Sequence, residues 1–392
     1  MRRTNSDDIV PGRRGGANTR WWLLLAAGGA ALALAATSAP AAVAAPAGDT
    51  AFIGPQHQNV TVASTVPGNG DVNPYGVAVV PESRGNLTEG DILVSNFNNA
   101  PTATASGGEQ GRGTTIVEVA PNGHVSLFAT IPTTAVPDGI GLTTALVVLR
   151  SGWVIVGSLP TTDGTSATAS RGELLVLDSR GHLREVIAGH GINGPWDATA
   201  VDGGRYADIF VSNVLNGIVN GAPASTTSGT VVRLGLDLTG PAPRLRSSTV
   251  IANGLSVHTD PAALIVGPTG VALGPDGRLY VADTANSRIA AIPHALTRDD
   301  PVNAGAAAAT VSTNSALNGP LGLAIAPNGD LLTVNAGDNN LVELTRSGRV
   351  VAVRDLDTTD PPGGALFGLA VVPRQRAVYY VNDDVNVLNV LR

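Results

Sequence analysis

The sequence of 392 residues contains no cysteine and no lysine, a single methionine and only 14 aromatic residues. Without cysteine, the protein cannot form disulfides, thiolate metal sites, iron–sulfur clusters or a cysteine nucleophile. Charged residues make up only 14% of the chain and apolar residues 43%. Because this balance is too apolar for a disordered chain, most of the sequence is expected to fold around a buried core.

All 24 basic residues are arginines, and acidic residues outnumber them. The first 47 residues carry five Arg and two Asp, so the rest of the chain has a formal charge of −10. A protein this acidic, without a cluster of arginines, is poorly suited to hold a phosphate backbone. The sequence therefore predicts that nucleic acid is not a partner.

Residues 1–47 have the organisation of an export signal. A polar, positively charged start precedes an apolar stretch at 21–36, and small residues with A-x-A spacing follow. This order predicts a secretory signal peptide, cleaved after Ala44 or Ala47. The alternative is an uncleaved anchor, because the apolar stretch extends almost to these sites. Either way, residues 48–392 are expected to be exported, periplasmic or extracellular, and a membrane is a partner only if the segment stays uncleaved.

From about residue 57, the chain repeats one phrase. A turn with Pro or Gly is followed by an apolar run, a Gly-centred turn, a second apolar run ending in Asn, Asp or Ser, and a third run. The clearest copy spans 267–289 and contains the turn Pro275, Asp276, Gly277. Pro presets φ, Asp caps the turn and Gly accepts positive φ, so the two flanking runs are predicted to form a β-hairpin.

Six copies of the phrase align on one position near the start of the first apolar run. The spacings between copies are 68, 53, 73, 52 and 46 residues. Periods of this order with several short strands each are typical of propeller blades. The sequence predicts an all-β protein with one six-bladed β-propeller over 48–392. The alternative fold is a β-sandwich, which does not explain why the phrase occurs six times in the same internal order. The aligned residues are Gly76, Thr144, Asp197, Gly270, Gly322 and Gly368.

The two ends of the repeat region indicate how the ring closes. The apolar segment 60–63 has no hairpin partner of its own, and the sixth copy stops soon after its third strand at 384–391. An N-terminal strand that completed the last blade would pair both open edges. We therefore predict that residues 60–63 form the outermost strand of blade 6.

The phrase at 268–289 resembles an NHL repeat, and the segment 320–341 is similar but looser. The resemblance covers about 57–392 and implies a six-bladed NHL-type propeller of the broad TolB-like group. Such propellers include binding modules, sensor domains, lactonases and lyases, so the resemblance does not imply one activity.

The predicted fold separates two ends of the central channel. With the strands of a blade named A to D from the axis outward, the A–B and C–D turns lie at one end, here called the turn end. The B–C and D–A connections lie at the other, here called the loop end. Three B–C connections, 98–112, 160–171 and 216–228, are long and belong to blades 1 to 3. They are expected to form a one-sided lip over the channel mouth at the loop end.

Each predicted B strand ends at the loop end in a small polar residue. One reading is that these side chains hydrogen-bond their own turns, with Asp283 paired to Arg288. The other is that they ring the mouth and hold a polar ligand or a divalent cation such as calcium, which takes oxygen ligands of this type. On the second reading the ligand-binding residues are Asn96, Asn213 and Asn335, and the metal ligands are Asp283, Asn382 and Asp383.

Three of the 14 aromatic residues, Tyr75, Trp196 and Phe367, share the position just before the aligned one. They either wedge between blades as core or form an apolar wall suited to a carbohydrate or another flat ligand. The second reading adds all three to the predicted ligand-binding residues.

Catalytic motifs are scarce. Of the six histidines, only His190 and His258 fall in predicted D–A connections, where they could serve as a base or metal ligand. Neither H-E-x-x-H nor G-x-S-x-G occurs. Two functions stay open: an exported recognition propeller that binds a polar small molecule, glycan or protein at the mouth, and a metal-dependent lactonase or lyase in the same mouth.

Overall fold

The computed structural model describes residues 50–358 and 363–392. The predicted signal segment, 1–47, lies outside these residues. Within them the chain forms 26 β-strands and four 3₁₀ helices of three residues each, Ser166–Thr168, Thr284–Asn286, Ala307–Ala309 and Pro373–Gln375. None of the helices in the described ranges is long and apolar enough to cross a membrane.

The strands form six sheets, one for each predicted blade, and are numbered in chain order; all pairs are antiparallel except β13 with β18. The first strand of the described residues, β1 (Asn59–Ser64), belongs to the last blade. Blade 1 is β2 (Val72–Val79), β3 (Ile92–Asn98), β4 (Thr115–Val119) and β5 (Val125–Thr130). Blade 2 is β6 (Leu142–Val148), β7 (Val154–Ser158), β8 (Glu173–Leu177) and β9 (Leu183–Ile187).

Blade 3 is larger than the others because its outer hairpin continues past the blade at the loop end. It is β10 (Pro195–Asp202), β11 (Tyr206–Asn213), β12 (Ser225–Asp237), β13 (Arg244–Asp260) and β14 (Leu264–Val266), with β18 (Val302–Asn303) beside β13. Part of the predicted loop 216–228 is therefore strand, since β12 begins at Ser225.

The last three blades return to four strands each. Blade 4 is β15 (Pro268–Leu273), β16 (Leu279–Asp283), β17 (Arg288–Ile292) and β19 (Thr310–Ser312). Blade 5 is β20 (Pro320–Ile325), β21 (Leu331–Asn335), β22 (Asn340–Leu344) and β23 (Val350–Asp355). Blade 6 is β24 (Leu366–Val372), β25 (Ala377–Asn382), β26 (Val387–Leu391) and β1.

The ring closes as predicted. Strand β1 pairs antiparallel with β26, with Val60 opposite Val390 and Ser64 opposite Val387. The innermost strands contact one another in ring order, β2, β6, β10, β15, β20, β24 and back to β2. Because the first and last strands of the described residues share one sheet, the last blade has its full set of four strands. The β-sandwich alternative is excluded.

Apolar residues fill the spaces between neighbouring blades. Side chains alternate between the two faces of each strand, so every blade presents an apolar face to each neighbour. Four separate buried clusters lie between successive blades from blade 1 to blade 5. The largest cluster joins blades 5, 6 and 1 and extends over the axis. This burial is the main source of stability in the ring.

Glycine at the aligned position allows the inner strands to approach closely. A Cβ at Gly270, Gly322 or Gly368 would collide with a backbone carbonyl of the next inner strand, those of Leu321, Phe367 and Tyr75 respectively. The requirement is steric, so these three positions have to stay glycine.

Two serines tie inner strands of neighbouring blades. Ser95 Oγ accepts the N–H of Gly76 at 3.0 Å and donates to the carbonyl of Thr143 in blade 2 at 2.8 Å. Ser212 Oγ repeats the arrangement, accepting from Asp197 at 3.1 Å and donating to Thr269 in blade 4 at 2.7 Å. Each hydroxyl thus bonds its own blade and the next one.

The segment before β1 is held by a buried carboxylate. Residues 50–56, here called the N-terminal clasp, contain Phe52 and Ile53, which are 4% and 0% exposed. Glu343 of β22, itself fully buried, accepts their two backbone N–H groups at 2.7 and 2.8 Å and a third hydrogen bond from Asn328. The clasp therefore joins blade 5 to the strand that closes blade 6.

We expect Glu343→Ala to destabilise the protein by about 2–3 kcal/mol, because it leaves two buried amides without an acceptor. Hydrogen exchange should rise first in residues 50–64 and in blade 6. Glu185→Ala, on the exposed face of β9, is the matched control and should change stability by less than about 0.5 kcal/mol. Equal exchange in both variants would show that the clasp does not stabilise closure.

Candidate functional site

The polar residues that end the B strands precede the B–C connections, and therefore lie at the loop end, but they are buried. Asn96, Ser158, Asn213 and Asn335 are fully buried. Each forms a hydrogen bond with the D–A connection that leads into its own blade, at donor–acceptor distances of 2.8–3.2 Å. Two side-chain amides donate to backbone carbonyls: Asn96 Nδ2 to Thr65 O and Asn335 Nδ2 to Ala316 O. The other two side chains accept from backbone N–H groups: Ser158 Oγ from Gly141 and Asn213 Oδ1 from Asn193. These hydrogen bonds hold each D–A connection to the B strand of its blade.

The predicted metal ligands are also engaged. Asp283 is fully buried, and its Oδ2 accepts from Arg288 Nε at 2.6 Å and from Asn286 Nδ2 at 3.0 Å. Asn382 Nδ2 donates to Asp357 Oδ2 at 2.5 Å, while the backbone N–H of Asp383 donates to Ala365 O. A guanidinium thus faces the anionic oxygen of Asp283 that a cation would need. This donor set does not fit a divalent cation, and the metal role stays a prediction without support from the geometry.

The three aromatic residues form a buried stack on the axis. Tyr75, Trp196 and Phe367 are 0%, 1% and 5% exposed. The ring of Tyr75 lies 4.0 Å from that of Phe367, 4.6 Å from that of Phe97 and 5.8 Å from that of Trp196, measured between centroids. Because Tyr75 and Trp196 belong to blades 1 and 3, their contact crosses the channel. All three belong to the largest buried cluster, so their burial supports the core reading and not an open apolar wall.

The long connections of blades 1 to 3 cover this stack. Arg112 Nη1 of the first connection donates to Thr162 O of the second at 2.7 Å, and Thr161 N donates to Gly111 O at 2.9 Å. Gln110 Nε2 reaches Pro261 O, next to β14, at 2.7 Å. Leu215, Ile218 and Leu264 to Val266 pack in the same apolar cluster as the stack. The predicted lip is therefore a cap, and the loop end of the channel is closed.

Asn96 Oδ1 and Asn335 Oδ1 are among the buried side-chain atoms that have no hydrogen-bond partner within the described ranges. Both belong to side chains whose amide nitrogens hold backbone carbonyls. Such atoms are suited to buried water.

The channel is open on the opposite side of the stack. A cavity of about 380 Å³ is lined by the second halves of the six inner strands, including Val77 to Val79, Asp197 to Ala200, Leu323 to Ile325 and Leu369 to Val371. These segments run from the aligned position toward the A–B turns, so the channel opens at the turn end. Each inner strand pairs on one side only, and its free edge gives the channel backbone N–H and C=O groups.

Asp197 is the titratable side chain among the residues that line this channel. It occupies the aligned position of blade 3, directly after Trp196, so it lies where the aromatic stack closes the channel. Its Oδ1 accepts the N–H of Ala198 at 2.8 Å, and its Oδ2 accepts the N–H of Val271 in blade 4 at 3.1 Å. Despite these hydrogen bonds, burial raises the pKa of the Asp197 carboxyl to about 7.

The partial exposure of Asp197 is compatible with this strong desolvation. The residue lies on an inner strand, so the solvent that reaches it is the solvent of the channel, while protein surrounds it on the other sides. Perturbed carboxyls of this kind in cavities mark candidate functional sites. Asp197 at the closed end of the channel is therefore the candidate site.

Sequence reasoning aligned Asp197 with the other copies but did not select it. The signal was present, because the same position is glycine in four copies and threonine in the fifth. In most copies the repeat has glycine here, which allows the inner strands to approach closely. The charged residue therefore distinguishes blade 3 from the other blades.

The two candidate histidines lie away from the channel. His190 is exposed, has a φ of 52° and lies in the connection between blades 2 and 3. His258 is part of β13 rather than of a D–A loop, with its Nε2 3.8 Å from Asp260 Oδ2. Within the described residues, no group of three or more His, Asp or Glu side chains is arranged to hold a metal ion.

Comparisons with known proteins agree with the fold. The NHL repeat family model matches residues 266–292, which form most of blade 4. The chain is a six-bladed β-propeller with an NHL repeat, as the sequence predicted. No curated protein matches the sequence at a significant level.

Solved structures of the same architecture are similar to this chain. One is a gluconolactonase from Xanthomonas campestris, with a TM-score of 0.54, 13% identity, and coverage of 86% of this chain and 89% of that one. Another is a calcium-binding protein, regucalcin, from Agrobacterium tumefaciens, with a TM-score of 0.51, 13% identity, and coverage of 84% and 92%. At this identity the likeness concerns the fold and not the activity.

If the Asp283–Arg288 pair is structural, Asp283→Ala should destabilise the protein by about 3–5 kcal/mol, because it leaves a buried guanidinium uncompensated. Calcium or a chelator should not change the melting temperature of the wild type. Asp300→Ala, at an exposed loop position, is the control. A wild-type melting temperature that falls on chelation and recovers with calcium would instead support the metal role.

The raised pKa of Asp197 makes stability depend on pH. The folded pKa, about 7, lies above the ordinary value of 3.8, so the folded state holds a proton that the unfolded state has released. Wild-type stability should fall as pH rises from about 5 to 8. We expect Asp197→Asn to remove about 2 kcal/mol of that fall, measured by urea unfolding at several pH values. Parallel pH profiles for the two proteins would contradict the assignment.

Proposed function

We propose that this protein is an exported recognition propeller that binds a small molecule in the central channel, entered from the turn end. The observation that carries the proposal is the geometry of the channel. It is closed at the loop end by the aromatic stack and the cap, and it leaves a cavity of about 380 Å³ with one ionisable side chain. This volume is at the lower end of the range of ligand pockets.

The size of the cavity favours a small molecule over a glycan or a protein. Six inner strands enclose it, and only three or four residues of each strand line it, so its depth is about 10 Å. A folded partner cannot enter such a space. Glycan and protein partners would have to bind elsewhere on the surface, and no described contact supports such a site.

The metal-dependent lactonase or lyase is the alternative from the sequence. Support for it comes from similarity of fold to a gluconolactonase and to a calcium-binding protein. The residues at the loop end are bonded to the scaffold, as described above, so the channel site has the stronger physical basis. A divalent cation stays a separate prediction, tested by the calcium experiment on Asp283.

Titration calorimetry can test the channel as a binding site with defined probes. Linear four- and six-carbon skeletons, each as ammonium, alcohol and carboxylate, form a matched set. We expect at least one to bind the wild type with 1:1 stoichiometry. Thr199→Trp places a bulky ring in the channel wall and should abolish binding, whereas Thr133→Trp, at an exposed loop position, should not. Absence of binding by all six probes, or equal binding by Thr199→Trp, would reject the channel site.

Export is tested independently by the mass of the protein recovered from a secreting host. We expect loss of residues 1–44 or 1–47, because the small residues there fit a signal peptidase site. Replacing Ala42, Ala44, Ala45 and Ala47 with bulky residues should prevent the loss. Recovery of the full-length chain in the membrane fraction would favour the uncleaved anchor.

A further inference from the structure

We propose that the channel ligand carries a primary ammonium group that pairs with Asp197; this rests on the proposed function of the channel. The proposal names the chemical class of the ligand: a small aliphatic amine, positively charged at neutral pH, that enters from the turn end with its ammonium group first. The observation behind it is a single carboxylate placed at the blind end of a narrow channel.

Asp197 has acceptor capacity left for a ligand. Two backbone N–H groups, those of Ala198 and Val271, each occupy one carboxylate oxygen. An ionised carboxylate offers about four lone-pair sites. Since the residue lines the cavity and its partial exposure is toward the channel, the remaining sites are available from the channel side. They face a ligand rather than another part of the scaffold.

When its carboxyl is ionised, Asp197 has no cationic partner among the residues that line the channel. The hydrogen-bond donors to its carboxylate are neutral amides, and the other side chains lining the channel are aliphatic or threonine. The nearest ion pair along the same strand is at the turn end, where Arg150 contacts Asp202 at 3.7 Å. An incoming cation would therefore provide the countercharge that the site lacks, which a neutral or anionic ligand cannot do.

The walls match the rest of an aliphatic amine. Val79, Leu273, Ile325 and Val371 line the channel and are only partly buried, so a short hydrocarbon chain would contact their apolar atoms. A primary ammonium group has three donors. One can reach Asp197, and the others can reach carbonyls on the free edges of the inner strands. A group with several donors and one charge thus uses both kinds of acceptor that the channel offers.

Calcium is the competing cation. It normally takes six to eight oxygen ligands, with affinity set by the number of charged ligands. Asp197 supplies one carboxylate, and no second carboxylate is among the residues that line the channel. The channel therefore favours a singly charged group with N–H donors over a divalent ion.

Binding should depend on pH through Asp197. Among the channel-lining residues of all six inner strands no other side chain is titratable, and Arg150 and Asp202 are the charged pair at the turn end of β6 and β10. The pKa of the Asp197 carboxyl is raised to about 7 by burial, so the carboxylate form increases between pH 6 and 8. Ammonium affinity should rise roughly tenfold over that interval, while alcohol affinity should stay constant.

The experiment ranks the six probes and calcium chloride by titration calorimetry on wild type and two matched variants. Asp197→Asn removes the charge at the blind end, and Asp202→Asn makes the same change at the other end of β10. We expect the ammonium probes to bind the wild type at least tenfold more tightly than the alcohols. Asp197→Asn should weaken ammonium binding by about 10–100-fold, and Asp202→Asn by less than about twofold.

The outcomes separate this inference from the proposed function. If alcohols or carboxylates bind as well as the ammonium probes and Thr199→Trp blocks them, the channel is a binding site but the amine assignment is wrong. Tighter binding of calcium than of the amines also overturns it. If no probe binds, both proposals fail. If Asp197→Asn does not fold, the pH profile of ammonium binding by the wild type decides, and a flat profile rejects the role of Asp197.

Discussion

The convergence of six inner strands on one axis is the constraint on which the rest of the structure depends. At the aligned position the strands are so close that a Cβ on Gly270, Gly322 or Gly368 would strike a neighbouring carbonyl. One residue earlier, Tyr75, Trp196 and Phe367 turn inward and fill the axis. The inner strands are closest together at this position, so the channel is narrow there. Three aromatic rings from different blades are therefore enough to close it.

Closure of one end gives the two faces of the propeller different roles. At the loop end, the polar residues of the B strands bond the connections leading into their blades, and Arg288 neutralises Asp283. These polar groups form hydrogen bonds and ion pairs with other parts of the protein, because a buried polar group without a partner would destabilise the fold. At the turn end the channel stays open, and no cationic side chain lines it to pair with Asp197 when its carboxyl is ionised.

Much of the fold could be predicted from the sequence. The Pro275, Asp276, Gly277 turn, the six-fold recurrence of the phrase and the unpaired segment 60–63 depend on local chemistry, and all correspond to observed elements. The grouping of Asn96, Asn213, Asp283 and Asn335 at one end was also predictable, because it follows from strand order. Their burial was not, since it depends on which connections fold back over them.

The candidate site shows the same division. Asp197 was visible as the acidic exception at a glycine position, but its surroundings come from Trp196 beside it and Val271 in another blade. The sequence by itself determined the repeat, the number of blades and the way in which the ring closes, because turns and strand pairing are encoded by neighbouring residues. Only the tertiary structure decided which end of the channel is open and which carboxylate lines it, because both depend on contacts between residues far apart in the chain.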